Sequence, residues 1–349
     1  MPEKKYRVGV VGYGWAAGAH IAAINAGALG QVTKVCSSRK LDPAELSARH
    51  GCAIATYTDL RAMLAEPDLD VVSICSYHRE HAEHILAAAQ AGKHIIAEKP
   101  LALSLDDIRR IERAVKAARV GFCICFELRF SAQFRTTKSL IDRGLLGKLH
   151  YGEVDYYHGI GPWYREFLWC TTDEGCGSSL LEAGCHAMDA LLLCMGGDVE
   201  EVCSYGAKSS SPTYAPYEYP PTTVTVLKWK NGAAGKCASV IDCWQPYYFH
   251  THLVGSEGSL LDNKFHSNLL EGLSRQGWSE LGFKPVDSGD VADHPYTTQF
   301  DAFFESLERG GPMPLTGLAE AVRTHEVIFA ADLSARLGRP VRLEDLPAR

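Results

Sequence analysis

Three segments of this sequence hold side chains whose types and spacing could do chemistry. The first is HIIAEKPLAL, residues 94 to 103, where an apolar run that reads as the end of a buried strand gives way to Glu98, Lys99 and Pro100. An ammonium at such a mouth can stabilise negative charge developing on a reacting oxygen. The second is GCGSSLLEAGCHAMDALLLC, residues 175 to 194. On a helix, Glu182, His186 and Asp189 fall at i, i+4 and i+7 on one face, while leucines and Met188 cover much of the rest. That stripe reads either as the wet side of an amphipathic helix or as a histidine held by a carboxylate one turn away for proton transfer. A metal centre is not expected, because no second histidine or cysteine set is spaced to complete it. The third is RVGVV followed by GYGWAA and a helical stretch to Ala26, which gives Gly12-x-Gly14-x-x-Ala17. Gly12 permits a tight turn, Gly14 lets a pyrophosphate approach the backbone, and Ala17 is small enough for close helix-to-strand packing. Tyr13, Trp15 and Ala16 belong to the same expected cofactor turn.

These residues need a frame. QVTKVC reads as a second strand, and the group that meets the adenosine ribose belongs at its end, about 20 residues past the glycines. The chain there reads Ser37-Ser38-Arg39, with no acid. Hydroxyls and a guanidinium suit the 2′-phosphate of NADP, so the residues favour NADP over NAD; the other reading is a solvated arginine with NAD bound through its remaining contacts. LDVVSICSYH, a helix from about Glu80 to Ala91 stopped by Gly92, and HIIAE make a further strand-helix-strand unit. Ser104 opens a helix with acids in its first turn, running to about Ala118, and VGFCICF closes an expected six-stranded parallel sheet. Glu98 and Lys99 then lie at the carboxyl end of a strand, the edge where open α/β sheets bind ligands.

From about residue 149 the pattern becomes antiparallel. TTVTVLKWK, Asn231-Gly232 and AAGKCASVIDCW make a hairpin, HLVGSEGSLLD another, and two helices near 298–309 and 317–337 complete an α+β domain. The expected division is residues 1–125 as a dinucleotide-binding domain and 126–349 as a substrate-binding and oligomerisation domain. The biased stretch SSSPTYAPYEYPP, residues 209 to 221, reads as a surface loop. A net charge of −7 without a basic cluster argues against nucleic acid as partner. No apolar run near the start reads as a signal peptide and none elsewhere reaches membrane-spanning length, so a soluble, cytoplasmic protein is expected. The 12 cysteines are dispersed, often within apolar runs, and are expected to be mostly reduced core residues.

VGVVGYGWAAGAH, AGKHIIAEKPLALS, LRFSAQF at residues 128 to 134 and GSSLLEAGCHAMD together resemble the Gfo/Idh/MocA oxidoreductase family. The resemblance covers nearly the whole chain and is carried most specifically by EKP and by Gly184, His186 and Asp189. It implies an α/β Rossmann domain plus an α+β domain with a large, open, mostly antiparallel sheet, commonly used for dimer or tetramer assembly. It also implies hydride transfer between NAD(P) and a hydroxyl carbon of a sugar, inositol or related polyol. Lys99 matches the lysine near the nicotinamide and the reacting oxygen, and His186 the proton-transfer histidine. Glu182 falls where many members have Asp, so its reach differs by a methylene. Ser76, Tyr77 and His78, with His81 after them, correspond to the cofactor-lining turn after the fourth strand, although Tyr77 replaces the proline common there; Glu98 is counted with the cofactor site. The family uses a cis bond before the EKP proline, whereas only about 5–6% of X-Pro bonds are cis, so the sequence alone predicts trans. Arg129, Lys99, Glu182 and His186 are expected to meet substrate. So are Trp163, Tyr164, Arg165 and Trp169 of GIGPWYREFLW, whose planes and polar groups suit a pyranose but equally a core or interface. Two other activities stay open: glycoside cleavage through transient oxidation by retained NAD, and noncatalytic dinucleotide sensing.

Overall fold

Short runs rich in valine and isoleucine become strands buried on both faces, as a parallel sheet covered by helices requires. In a computed structural model, which describes residues 6–286 and 293–346, these runs are β1 (Tyr6–Val11), β2 (Gly30–Cys36), β3 (Ala55–Tyr57), β4 (Val71–Ile74), β5 (His94–Ala97) and β6 (Phe122–Ile124). All pair in parallel in the order β3-β2-β1-β4-β5-β6, the expected six-stranded sheet. Helices α1 (Trp15–Ala26), α2 (Pro43–His50), α3 (Leu60–Leu64), α4 (His81–Gln90) and α5 (Leu105–Ala118) make the crossovers. Local chemistry sets their ends: Asp42 Oδ1 accepts from the Ala44 and Glu45 N–H groups, and Ser104 Oγ accepts from Asp107 N–H. The chain order reverses between β1 and β4, so the ligand-binding switch point of such a sheet falls at their carboxyl ends.

The chain separates into two compact units, one drawing on Met1–Glu127 and Asp290–Val322, the other on Leu128–Gly289 and Arg323–Arg349. The cut at residue 126 is therefore not the whole division. A late segment returns to the first unit, carrying a helix over Tyr296–Glu308 whose Phe300, Phe303 and Phe304 are buried and whose Gln299 Nε2 donates to the Ile124 carbonyl at 2.8 Å. Nothing local to that helix says which core its aromatic face serves.

The second unit is built on a nine-stranded sheet. After α6 (Ala132–Asp142) come β7 (Leu149–Tyr157), α7 (Phe167–Cys170), α8 (Cys185–Met195), β8 (Val199–Ala207), β9 (Thr222–Trp229), β10 (Ala234–Val240), β11 (Tyr248–Gly255), β12 (Gly258–Leu261), β13 (Lys264–Ser267) and β14 (Ser279–Glu280). The first unit's returning helix is α9 (Tyr296–Glu308), followed by α10 (Leu318–Leu337), β15 (Val341–Arg342) and a last 3-10 turn at Leu343–Asp345. The order is β14-β13-β12-β11-β7-β10-β9-β8-β15, with β7 and β10 parallel and the other pairs antiparallel. Both expected hairpins form, the first with Ala233 N–H donating to Asn231 Oδ1 at 2.9 Å across its turn. The Tyr- and Pro-rich excursion at 209–221 is a surface loop, exposed at Ser210, Pro212, Ala215, Pro216, Glu218 and Pro220, whose tyrosines turn inward. Tyr214, Tyr217 and Tyr219 are buried, and their hydroxyls donate to the carbonyls of Cys243, Ile160 and Cys170 at 2.7, 2.9 and 2.5 Å. Tyrosine can serve the core in this way because its ring is apolar and its one polar group finds an acceptor.

Candidate active site

The dinucleotide-type turn begins where β1 ends. Gly12 has φ +85°, and a Cβ there would lie 2.6 Å from the Cys75 carbonyl oxygen and 2.7 Å from Ser76 N, so only glycine lets the ends of β1 and β4 approach. Gly14 precedes α1 with no side-chain cap, and a Cβ on it would meet nothing within 4 Å. The exposed N-terminus of a 12-residue helix beside an open, side-chain-free position is a fit for a pyrophosphate. At the end of β2, Ser37 Oγ accepts from Arg39 N–H at 3.3 Å, and Arg39 Nη2 donates to the Tyr13 carbonyl at 2.7 Å, which sets the guanidinium against the glycine turn. The next acids are otherwise engaged: Asp42 and Asp59 cap helices, and Glu45 pairs with Arg49 at 2.9 Å. Ser38 and Trp15 are exposed beside these residues, and Ala16 is partly so.

Ser76, Tyr77 and His78 follow β4. Ser76 Oγ lies 2.8 Å from His84 Nδ1, Tyr77 is exposed with the Arg79 guanidinium 5.7 Å from its ring centre, and His78 is buried. Burial, reinforced by the charges of Lys99 and His81, holds His78 well below the usual imidazole range, so it is neutral. Lys99 follows β5 and is half-buried, and its bond to Pro100 is cis. His81 is buried rather than ligand-facing: Nδ1 lies 2.7 Å from the Pro100 carbonyl oxygen and Nε2 3.1 Å from the Ser76 carbonyl oxygen. It ties the turn after β4 to the turn after β5. Glu98 is likewise a positioning group. Its Oε1 meets His20 Nε2 at 2.8 Å and accepts from Tyr296 O–H at 2.7 Å, while Oε2 accepts from Lys99 N–H at 3.1 Å. His20 Nδ1 sits 2.8 Å from Ser73 Oγ. Burial disfavours charge on His20, but Cys75 and Glu98 outweigh it and raise its pKa to about 10. Burial would raise Glu98, yet His20, Lys99 and Tyr296 hold it well below the carboxylate range. The His20–Glu98–Tyr296 cluster was not read from the sequence. Its one signal is a histidine in the first turns of the helix after the glycines.

In the second unit, Glu182 lies in a π-helical turn, Leu180–Gly184, that runs directly into α8, where His186 occupies the first turn. Both side chains are buried. The turn packs hard on β10: a Cβ at Gly184 would come within 2.5 Å of Ser239 Cβ, and Ser239 Oγ donates to the Ser179 carbonyl at 2.9 Å. The Cys176 thiol donates to Glu182 Oε2 at 2.5 Å, a partner the sequence reading missed six residues upstream. Asp189 belongs to the framework. Its carboxylate takes Arg129 Nε and Nη2 at 2.6 and 2.7 Å and Thr324 O–H at 2.8 Å, all buried. This corrects Arg129 from a substrate arm to half of a bidentate internal ion pair.

Of the four residues from GIGPWYREFLW, two converge. Trp163 and Tyr164 line a cavity of about 480 Å³ with His158, Trp244 and Tyr247, a lining that does not include Arg165 or Trp169. Arg165 is exposed, and Trp169 is half-buried in the short α7. Trp244 and Tyr247 were legible as the run WQPYYF after β10, yet drew no reading.

A switch-point glycine turn and a helix-borne acid and histidine over a large sheet define a dinucleotide-dependent oxidoreductase of two domains. Residues 6–125 match the model of the oxidoreductase family with an NAD-binding Rossmann fold, and residues 134–261 match the GFO/IDH/MocA C-terminal domain, so the chain belongs to the Gfo/Idh/MocA oxidoreductase family. It is similar to the myo-inositol 2-dehydrogenase of Thermotoga maritima, 25% identical over 290 residues, 83% of this chain and 84% of that protein. It is also similar to the scyllo-inositol 2-dehydrogenase (NAD(+)) of Bacillus subtilis, 27% identical over 284 residues, 81% and 80% of the two chains. The solved structure of levoglucosan dehydrogenase in complex with NADH and levoglucosan shares the fold, with a TM-score of 0.84 at 22% identity over 97% of this chain and 99% of that one. No helix of the described residues is long and apolar enough to cross a membrane.

Proposed function

We propose that this protein transfers hydride between NADP or NAD and a hydroxyl carbon of a sugar, inositol or related polyol. One observation carries the reading. Gly12 and Gly14 after β1, Ser37 to Arg39 after β2, Ser76 to His78 after β4, and Lys99 after β5 all line one carboxyl edge of the parallel sheet, around its switch point. The inositol dehydrogenases among its relatives supply the substrate class. When bound, the nicotinamide supplies the hydride-accepting carbon. The turn at Gly12–Ala16 and the α1 N-terminus hold the pyrophosphate, and Ser37, Ser38 and Arg39 meet the adenosine ribose and favour its 2′-phosphate. Lys99 binds the reacting oxygen and stabilises its charge; His186 takes the hydroxyl proton during oxidation and returns it during reduction. Glu182 orients and tunes His186.

A panel of sugars, polyols and glycosides, assayed with each cofactor for nicotinamide absorbance and for products, tests the reading. Stoichiometric reduction of cofactor with a carbonyl product is the expected result. Release of a reducing sugar without net absorbance change, or cofactor binding with no turnover across the panel, overturns it.

A further inference from the structure

The cavity beside the active-site helix has a composition that the hydride-transfer reading does not use. It is an open cleft of about 480 Å³, wide to solvent, and so suited to one ring laid against its wall rather than to an enclosed ligand. At its mouth stand two indoles, Trp163 and Trp244, with ring centres 5.3 Å apart. They are 54% and 68% exposed, an unusual state for the largest apolar side chain, and they adjoin each other instead of being scattered. Their seat is rigid. Tyr214 packs on both rings, 6.4 and 5.6 Å away, and donates to the Cys243 carbonyl beneath, while Gly161 leaves the space that the Trp163 ring occupies.

The inner wall is fixed by a hydrogen-bonded chain. Buried Tyr156 places its hydroxyl 2.6 Å from His158 Nδ1, and His158 Nε2 lies 2.5 Å from the Tyr164 hydroxyl, with Tyr247 edge-on to both Tyr156 and His158. Tyr156 also joins the cavity to the reacting helix. It stands on β7, the strand on which both α8 and the Leu180–Gly184 turn pack, and on the same face as Gly152, where a Cβ would meet Leu191 and Met195 of α8. A flat apolar mouth, a preformed wall and adjacency to the reacting helix suit a ring attached to the reacting sugar.

We propose that Trp163 and Trp244 form an aglycone subsite, which stacks a second pyranose or an aryl group and makes glycosides, rather than free monosaccharides, the preferred substrates. This rests on the sugar-oxidoreductase reading for its substrate, but it can be tested by binding alone. Intrinsic fluorescence titrations of the cofactor-loaded protein compare methyl β-D-glucoside, phenyl β-D-glucoside and cellobiose, in wild type, Trp244→Ala and Trp244→Phe. Wild type should bind phenyl β-D-glucoside, cellobiose or both roughly 3- to 10-fold more tightly than the methyl compound, the range expected of one aromatic contact. Trp244→Ala should bring that ratio close to one, and Trp244→Phe, which keeps a flat ring, should restore part of it. Preference for the phenyl compound alone assigns an aryl aglycone, and preference for cellobiose a second sugar. Equal binding of all three by wild type, or an unchanged ratio in Trp244→Ala, overturns the subsite. Turnover of free sugars with no binding preference would remove this inference and leave the proposed function standing. A Trp244-dependent preference without cofactor reduction on any sugar would do the reverse.

Discussion

At the scale of single residues, the proposed chemistry rests on one ammonium and one imidazole. His186→Ala should lower turnover by roughly 10²- to 10⁴-fold if the ring moves the proton, and Glu182→Gln should act more weakly, by altering orientation and pKa. Near-normal turnover in His186→Ala with normal substrate binding would show that another group does this work. Lys99→Met removes a charged donor from the reacting oxygen, for which loss of a single oxyanion donor, about 2.7–4 kcal/mol, is the guide. Single-turnover hydride transfer at saturating cofactor and substrate reads it directly, and a rate within a few-fold of wild type would reduce Lys99 to a binding residue. Arg39→Ala should weaken NADP much more than NAD; equal loss for both in direct binding would remove the guanidinium from the ribose site. Arg129 separates structure from chemistry. Its fork is bound by Asp189 in the interior, so Arg129→Met should leave a buried carboxylate uncompensated and destabilise by roughly 3–5 kcal/mol in denaturant unfolding. Wild-type stability combined with a raised KM would restore the substrate role that the sequence suggested.

At the scale of elements, what was legible in the sequence is what short range encodes. The glycine turn, the Ser104 cap, the Asn-Gly hairpin and the apolar strand runs each lie within a few residues, and each appears where its local chemistry requires. The partners were not legible, because Glu98 meets His20 across 78 residues and Tyr296 across 198, and Asp189 meets Arg129 across 60 and Thr324 across 135. The π turn at Leu180–Gly184 was hidden for another reason: the same apolar and small residues serve either helix type, and the tight seat of Gly184 on β10 is visible only in three dimensions. The cluster at the end of β5 has a pH signature. His20, raised from 6.5 to about 10, contributes stability in full below its ordinary value and loses it as pH rises through about 10. Glu98, whose pKa is lowered, contributes above its ordinary value of 4.5 and loses that contribution as pH falls. Glu98→Gln should therefore be most destabilising near pH 5 to 6.5, and its deficit in denaturant midpoint should shrink steadily toward pH 10. A deficit constant from pH 6 to 10 would mean that His20 stays neutral beside the Glu98 carboxylate.

At the scale of the whole molecule, the nine-stranded sheet has one face occupied by α8 on β7 and β10, and on its other face side chains that a lone chain would leave in water. Tyr205 on β8 and Val226 on β9 project to that second face and are 65% and 49% exposed. Along the same face run Lys236 and Glu153, paired at 2.5 Å, with His250 3.8 Å from Glu153. Apolar groups interspersed with already-paired charges make a surface that can be buried without stranding an ion, unlike a face of unpaired lysines. A two-fold axis would bring the same strands of two copies together on this face, so one patch could serve both sides of the contact. We expect a homodimer as the minimum assembly, with a tetramer as the larger alternative. Sedimentation across micromolar to tens-of-micromolar concentrations should find no monomer plateau, and Val226→Glu, which adds a third carboxylate beside Lys236, already shared by Glu153 and Asp155, should shift the distribution toward monomer without loss of secondary structure. A wild-type protein that sediments as a monomer throughout, or a Val226→Glu variant that assembles as wild type does, would place the contact elsewhere or remove it.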